Sequence, residues 1–169
     1  MKGFFTIKSK TRYHVVAVDK EGRLKWEDDF HNIVTTVGMN KVVDACFKTG
    51  LASPAWYIGL VDGAGQQVFS EGDTIGTHDG WTENEDYTEL VRQDFIPGTV
   101  DTGTVDNTDS RAVFTISGDG SIAGCFLIDD DAKGATDGVL YGVGAFSGGT
   151  RPVEIGDTLR VTTTVSVEA

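Results

Sequence analysis

The chain has 169 residues, 39% of them hydrophobic, which suits one compact domain that can bury a core without disulfides or metals. It carries 14 Lys and Arg against 26 Asp and Glu, a formal net charge of −12. An acidic body repels phosphate backbones, so this balance argues against nucleic-acid binding by the domain as a whole. No apolar run approaches the roughly 20 residues of a membrane span, so we expect no membrane partner.

The N-terminal segment differs in charge from the rest, because the first 25 residues carry seven basic side chains and only two acidic ones. We interpret residues 1–12 as a basic N-terminal arm and residues 13–169 as a single domain. Lysines interrupt the apolar start of the arm, which argues against a secretory signal. The arm is either a solvated tail or a segment that lies on an acidic neighbour, such as another copy of the protein. In the second case its contact residues are Phe4, Phe5, Ile7, Lys8, Lys10 and Arg12.

A β-hairpin is predicted after the arm. Residues 13–19 are rich in β-branched side chains, and residues 23–27 alternate strictly between polar and apolar. A Lys-Glu-Gly turn lies between them, which is typical of a hairpin with one buried face. Residues 30–35 continue as extended chain.

One helix is predicted at about 36–48, with Thr35 or Thr36 as its N-cap and Gly50 as the residue that ends it. Its expected buried face consists of Val42, Val43, Cys46 and Phe47, which recur at helical spacing. Cys46 and Cys125 are single and far apart. We therefore expect two buried thiols in a reducing compartment, with no disulfide between them.

Residues 56–61 are apolar at almost every position, which predicts a central strand buried on both faces. Within this strand, Gly59 predicts a close approach of another backbone or ring. Alternation also places Trp56 and Tyr57 on opposite faces of one sheet.

The segment 62–94 is polar and Gly-rich, and a loop of that length in a compact domain is usually functional or tightly packed. Trp81 in its middle favours packing against the core. The nearby ionisable residues are His78, Asp79, Glu83 and Asp86. They lack metal-ligand spacing, so hydrogen bonds within the loop explain them better than a metal site.

Four further strands are predicted at 112–116, 121–128, 139–146 and 158–167, the last with the cleanest period of two. Many short strands with regular turns and one helix predict an all-β protein. We expect an antiparallel β-sandwich, jelly-roll-like or Ig-like in connectivity, with one short α-helix.

The sequence contains no recognisable catalytic motif. The three histidines show no metal-ligand spacing, and the acidic run 129–131 lacks the alternating ligands of a calcium loop. Neither cysteine has a histidine near it in sequence, and no serine stands in a nucleophile elbow. We therefore expect a protein that is not an enzyme, with no catalytic residue, cofactor or metal.

A family resemblance is carried by short motifs in a shared order. Residues 24–38 contain a Trp, three acidic residues, a Phe and an Asn before the predicted helix, and this segment resembles the opening of a widespread family of tailed-bacteriophage structural proteins. Other matching segments follow along the chain at 56–60, 72–75, 78–83, 105–107, 112–114, 122–124, 140–144 and 156–159. The resemblance spans roughly residues 24–165.

This resemblance implies a virion component, made in the host cytoplasm and located on the capsid surface. Members of the family are labelled either as tail-fibre-like proteins or as head decoration (cement) proteins. One compact domain without internal repeats favours decoration over a long fibre. The implied partners are the major capsid protein and the protein itself, as a homo-dimer or homo-trimer. The natural bridging elements are then the arm and the long loop with His78 and Trp81.

Two alternatives stay open. The protein could be a tail-fibre or tail-associated component. It could instead be a carbohydrate-binding module, which would need Trp56, Tyr57 or Trp81 exposed together as a stacking platform.

Overall fold

A computed structural model describes residues 8–48 and 54–168 of the chain. In this part of the chain the regular structure is almost all β, with one α-helix, α1, at Thr36–Phe47 and a short 3₁₀ helix at Thr108–Ser110. The strands are β1 Lys8–Val18, β2 Leu24–His31, β3 Ile33–Val34, β4 Tyr57–Asp62, β5 Glu83–Asn84, β6 Gln93–Asp94, β7 Thr104–Asp106, β8 Ala112–Thr115, β9 Gly120–Ile128, β10 Leu140–Ala145, β11 Arg151–Val153 and β12 Thr158–Glu168.

The described strands form two antiparallel sheets, which confirms the predicted β-sandwich. The first sheet has the order β2-β1-β12-β7, and β8 also pairs with β12. The second has the order β3-β10-β9-β4-β5, with β11 on β9 and β6 on β4. The sequence left the connectivity open; in the structure β1 and β12 lie side by side, paired from Lys8↔Glu168 to Val18↔Thr158.

The main core lies between the two sheets, because each long strand turns alternate apolar side chains inward. Its members from the first sheet include Tyr13, Val15, Phe114 and Leu159, and those from the second include Ile58, Leu60, Cys125 and Leu127. Cys125 is fully buried, as predicted.

A second apolar cluster covers the outer face of the second sheet. Strand residues Val61, Phe126 and Val143 form its floor, while Ile75 and Trp81 come from the long loop after β4. The loop therefore packs as a third layer on the sandwich, which confirms the packing that Trp81 predicted.

The predicted hairpin is β1–β2. Its turn is held by the Asp19 carboxylate, which accepts hydrogen bonds from the backbone N–H groups of Glu21 and Arg23 at 3.0 and 2.8 Å. Gly22 takes a φ of 82°, a left-handed conformation that favours glycine. The start of β1 corrects one boundary: Lys8–Arg12, which the sequence analysis placed in the arm, belong to the sheet.

Helix α1 begins where the sequence predicts, since the Thr35 hydroxyl accepts a hydrogen bond from the Gly38 N–H at 3.0 Å. Gly38 lets the helix approach the edge of β10 closely, because a Cβ there would lie 2.5 Å from the Cα of Tyr141. Only this first turn is held so closely, and the predicted buried face is therefore wrong for several residues. Val43, Cys46 and Phe47 are exposed, Phe47 to 81%. Gly50 lies outside the described residues.

Strand β4 confirms three predictions. Its residues from Ile58 to Val61 are buried, and Gly59 lies under the ring of Phe126, whose Cζ would be 2.1 Å from an added Cβ. Trp56 packs against the core between the sheets, whereas Tyr57 packs against the outer cluster. The two rings therefore point to opposite faces.

Candidate functional site

The outer face of the first sheet carries the predicted contact residues that the structure describes. Alternate residues of β1 face the solvent, and Lys8, Lys10 and Arg12 are exposed. Between them, Thr11 is buried and Ser9 is half-buried. We call the three cations the basic stripe. Phe4, Phe5 and Ile7, the other predicted contact residues of the arm, lie outside the described residues.

The basic stripe lies among polar neighbours from the two flanking strands. Arg12 pairs across the sheet with Thr164, and Lys10 pairs with Ser166. Lys10 also forms an ion pair with Glu168, with 2.5 Å between Nζ and Oε2. Because the ion pair is half-exposed at both ends, it contributes little to stability, but it orders the lysine side chain.

Arg12 is held by Asp29 of β2. Two guanidinium nitrogens, Nε and Nη2, donate to the two carboxylate oxygens. The hydrogen bond from Arg12 is the main reason that the pKa of Asp29 is lowered from its usual value. Nδ1 of His14 lies 3.8 Å from the same carboxylate. The face is therefore a pattern of ordered, paired charges and hydroxyls, and not an excess of positive charge of the kind that binds phosphate backbones.

Two shallow depressions border this face. One, of about 480 Å³, is lined by Lys10, His31 and Glu71 among others. The other, of about 420 Å³, is lined by Lys10, His31 and Thr102 among others. Lys10 and His31 therefore separate two concavities in which side chains of a partner protein can lie.

The predicted contact residues of the long loop lie on a different layer. His78 stacks on Trp81 with 3.9 Å between ring centroids and an interplanar angle of 13°. The indole N–H of Trp81 donates to Asp73 at 3.2 Å, and its ring packs on Phe126. Trp81 is only 4% exposed. The structure thus separates these two residues from the basic stripe by both sheets, and it uses Trp81 to pack the loop.

The aromatic residues considered for glycan stacking do not form a shared platform. Trp81 is buried, and Trp56 and Tyr57 face opposite sides of the second sheet. Stacking on a sugar requires open ring faces on one surface, so this arrangement does not support the carbohydrate-binding alternative.

The sequence did not indicate the burial of Arg92 and Asp28, two of the four buried charged residues in the described part of the chain. Arg92 is fully buried and donates from Nε and Nη2 to the Glu83 carboxylate at 2.9 and 2.7 Å. It also donates to the backbone carbonyls of Asp130 and Ala135 at 3.0 and 2.9 Å. Nothing in the polar segment around Arg92 distinguishes it from a solvated surface arginine.

The second is Asp28 of β2, in the acidic segment that precedes α1. Its carboxylate accepts from the N–H and hydroxyl of Ser147, both at 2.8 Å, and from Nη2 of Arg151 at 2.9 Å. These contacts tie the first sheet to the loop after β10. Both charges therefore have structural partners within the fold.

Groups suited to chemistry are few in the part of the chain that the structure describes. Across residues 8–48 and 54–168, no three His, Cys, Asp or Glu side chains are grouped as metal ligands. Burial raises the pKa of the Cys125 thiol far above its usual range, which makes it a poor nucleophile. In the same residues, no helix has the length and apolar character to cross a membrane.

Comparison with known proteins adds no relative: no protein-family model matches the chain, and no curated protein matches it significantly.

Proposed function

We propose that this protein is a non-enzymatic structural component of a bacteriophage virion, a decoration (cement) protein that binds the outer surface of the major capsid shell and stabilises it. The observation that carries the proposal is the outer face of the first sheet, with the ordered basic stripe and two flanking depressions. The resemblance of residues 24–165 to phage structural proteins supplies the virion context.

The rigidity of this face suits a permanent docking surface. The basic stripe lies on β1, which is paired with β2 on one side and β12 on the other. Arg12 and Lys10 are already held by carboxylates, so they lose less side-chain freedom when a partner binds. Charges at the rim of an interface mainly set the orientation of the partners and their association rate. Every copy that binds a repeating shell needs the same orientation.

The acidic body complements this role. With a net charge of −12, free copies repel one another in solution, while the ordered ion pairs of Lys10 and Arg12 offer directional polar contacts to a capsid subunit. The proposed partners are the major capsid protein and further copies of the protein as a homo-dimer or homo-trimer around a shell symmetry axis.

Location is the first test. Purified particles of the parent phage are labelled with gold-conjugated antibody to the protein and imaged. Label distributed over heads is the expected result. Label confined to tails would replace the proposal with the tail-associated alternative.

The contact face is tested with capsids that lack the protein. We expect the double variant Lys8→Glu with Lys10→Glu to bind such capsids about tenfold or more weakly, since it reverses two charges of the basic stripe. The matched control is Lys20→Glu, an exposed lysine in the hairpin turn beyond the far end of β1. Equal binding by both variants, with unchanged urea midpoints, would exclude the basic stripe as the contact.

A further inference from the structure

An apolar cleft of about 280 Å³ opens between the two sheets at the end where β1 begins. We call it the terminal cleft. Residues of both sheets and of α1 line it, including Val42, Trp56, Val105, Leu127, Tyr141 and Val165. Four of these, Val42, Trp56, Val105 and Val165, are only partly buried members of the main core. At this end the core is therefore incompletely covered by the described residues, although covering such surface is favourable.

Strand β1 starts at the rim of the terminal cleft. Ser9 lines the cleft, and its hydroxyl is hydrogen-bonded to the hydroxyl of Tyr141. Opposite Ser9 in the sheet is Val167, another lining residue, which is 48% exposed. Strand β1 therefore begins directly beside exposed apolar surface.

The alternation of β1 shows which of its residues face the cleft. Ser9, Thr11 and Tyr13 point inward, whereas Lys8 and Lys10 point outward. In the sequence, Ile7 and Phe5 lie two and four positions before Ser9, whereas Thr6 and Phe4 are in step with Lys8 and Lys10. The two residues in step with Ser9 are both large and apolar.

We propose that the terminal cleft is the binding site for Phe5 and Ile7 of the same chain. Phe5 is four residues from Ser9, a reach of roughly 13 Å in extended chain, so both side chains can reach the opening. An apolar cavity of about 150 Å³ already holds a benzene ring, so the volume of the cleft suits one ring and one aliphatic side chain.

The occupant is the protein's own segment and not that of a second copy, because a short connection gives an effective concentration in the millimolar range. In this arrangement Phe5 and Ile7 cover the open end of the core. This inference is independent of the proposed function, since it concerns the isolated protein.

The first experiment compares two neighbouring phenylalanines. Phe5→Ala is expected to bind the apolar dye 1-anilinonaphthalene-8-sulfonate and to lower the folding equilibrium constant about tenfold or more, because it uncovers the terminal cleft. Phe4→Ala removes the same ring from the opposite face and is expected to behave like the unaltered protein. Equal effects of the two variants, or no effect of Phe5→Ala, would overturn the proposal.

The second experiment needs no variant. In the unaltered protein, the ring protons of Phe5 are expected to show nuclear Overhauser effects to methyl protons of Val165 and Val167. A mixture of isotope-labelled and unlabelled protein separates contacts within one chain from contacts between chains. Contacts only between chains would make a second copy the occupant, and their complete absence would leave the cleft without this ligand; either result overturns the proposal.

Discussion

At the scale of single residues, Gly59 shows how one missing side chain sets the packing of a sheet. The Phe126 ring lies across the glycine, with Cζ and Cε1 at 2.1 and 2.4 Å from the position of an added Cβ. Phe126 is itself fully buried in the outer cluster, between the second sheet and the long loop. Moving the ring would therefore disturb the outer cluster that packs on it.

We expect Gly59→Ala to lower the free energy of unfolding by about 3 kcal/mol, because the new methyl group displaces a close-packed ring. The matched control is Gly120→Ala at the start of β9, where an added Cβ meets nothing within 4 Å. That variant is expected to change stability by less than about 0.5 kcal/mol. Urea unfolding followed by circular dichroism measures both. A Gly59→Ala protein as stable as the control would show that Phe126 can repack.

At the scale of elements, Arg92 fastens the long loop to the second sheet. Its guanidinium joins Glu83 of β5 to the carbonyl groups of Asp130 and Ala135, which follow β9. It also lies over the Phe126 ring at 5.4 Å from the centroid. One buried cation therefore holds the long loop to the segment between β9 and β10, whose contacting residues lie 38 and 43 positions further along the chain.

Glu83→Gln is expected to lower the free energy of unfolding by about 3 kcal/mol, because it leaves the buried Arg92 with only the more distant Asp130 carboxylate, at 3.5 Å, as a charged partner. The double variant Glu83→Leu with Arg92→Met removes both charges and is expected to recover most of that loss. Chemical denaturation of the three proteins gives the comparison. If Glu83→Gln were no less stable than the double variant, the ion pair would not be what fastens the loop.

The elements that the sequence predicted well are those with a local signal. The period of two in β12 and the Thr35 cap of α1 both act over a few neighbouring residues. Arg92 could not be predicted, since its partners come from segments that only the fold brings together. Lys8–Arg12 were assigned to the arm because of their basic charge, whereas the pairing with β12 that places them in the sheet is a long-range contact.

At the scale of the whole molecule, Asp28 connects the two sheets. It stands on β2 of the first sheet and accepts hydrogen bonds from Ser147, Gly148 and Arg151, which lie between β10 and β11 or in β11 of the second. Burial by itself raises the pKa of Asp28, but the hydrogen bonds from Arg151, Ser147 and Gly148 outweigh it, so the pKa is lowered from its usual value.

A lowered pKa makes this connection sensitive to acid. The pKa of an aspartate in an unfolded chain is about 3.9. Below that pH the unfolded chain binds a proton at this residue more readily than the folded chain does, because the pKa of Asp28 is lower in the folded state. The stabilisation is therefore fully present above that value and is lost as the pH falls through the folded pKa. Asp28→Asn is expected to lower the free energy of unfolding at pH 7 by about 2–3 kcal/mol, because it removes the charge from a buried hydrogen-bonded site.

The same variant is expected to lose less stability than the unaltered protein between about pH 7 and pH 3, since its amide does not titrate. Urea midpoints at the two pH values measure this difference. Asp79→Asn, at an exposed position of the long loop, is the matched control and should keep the pH dependence of the unaltered protein. Equal losses of stability by Asp28→Asn and the unaltered protein over this range would contradict the prediction. The acid sensitivity of the fold would then come from other titratable groups.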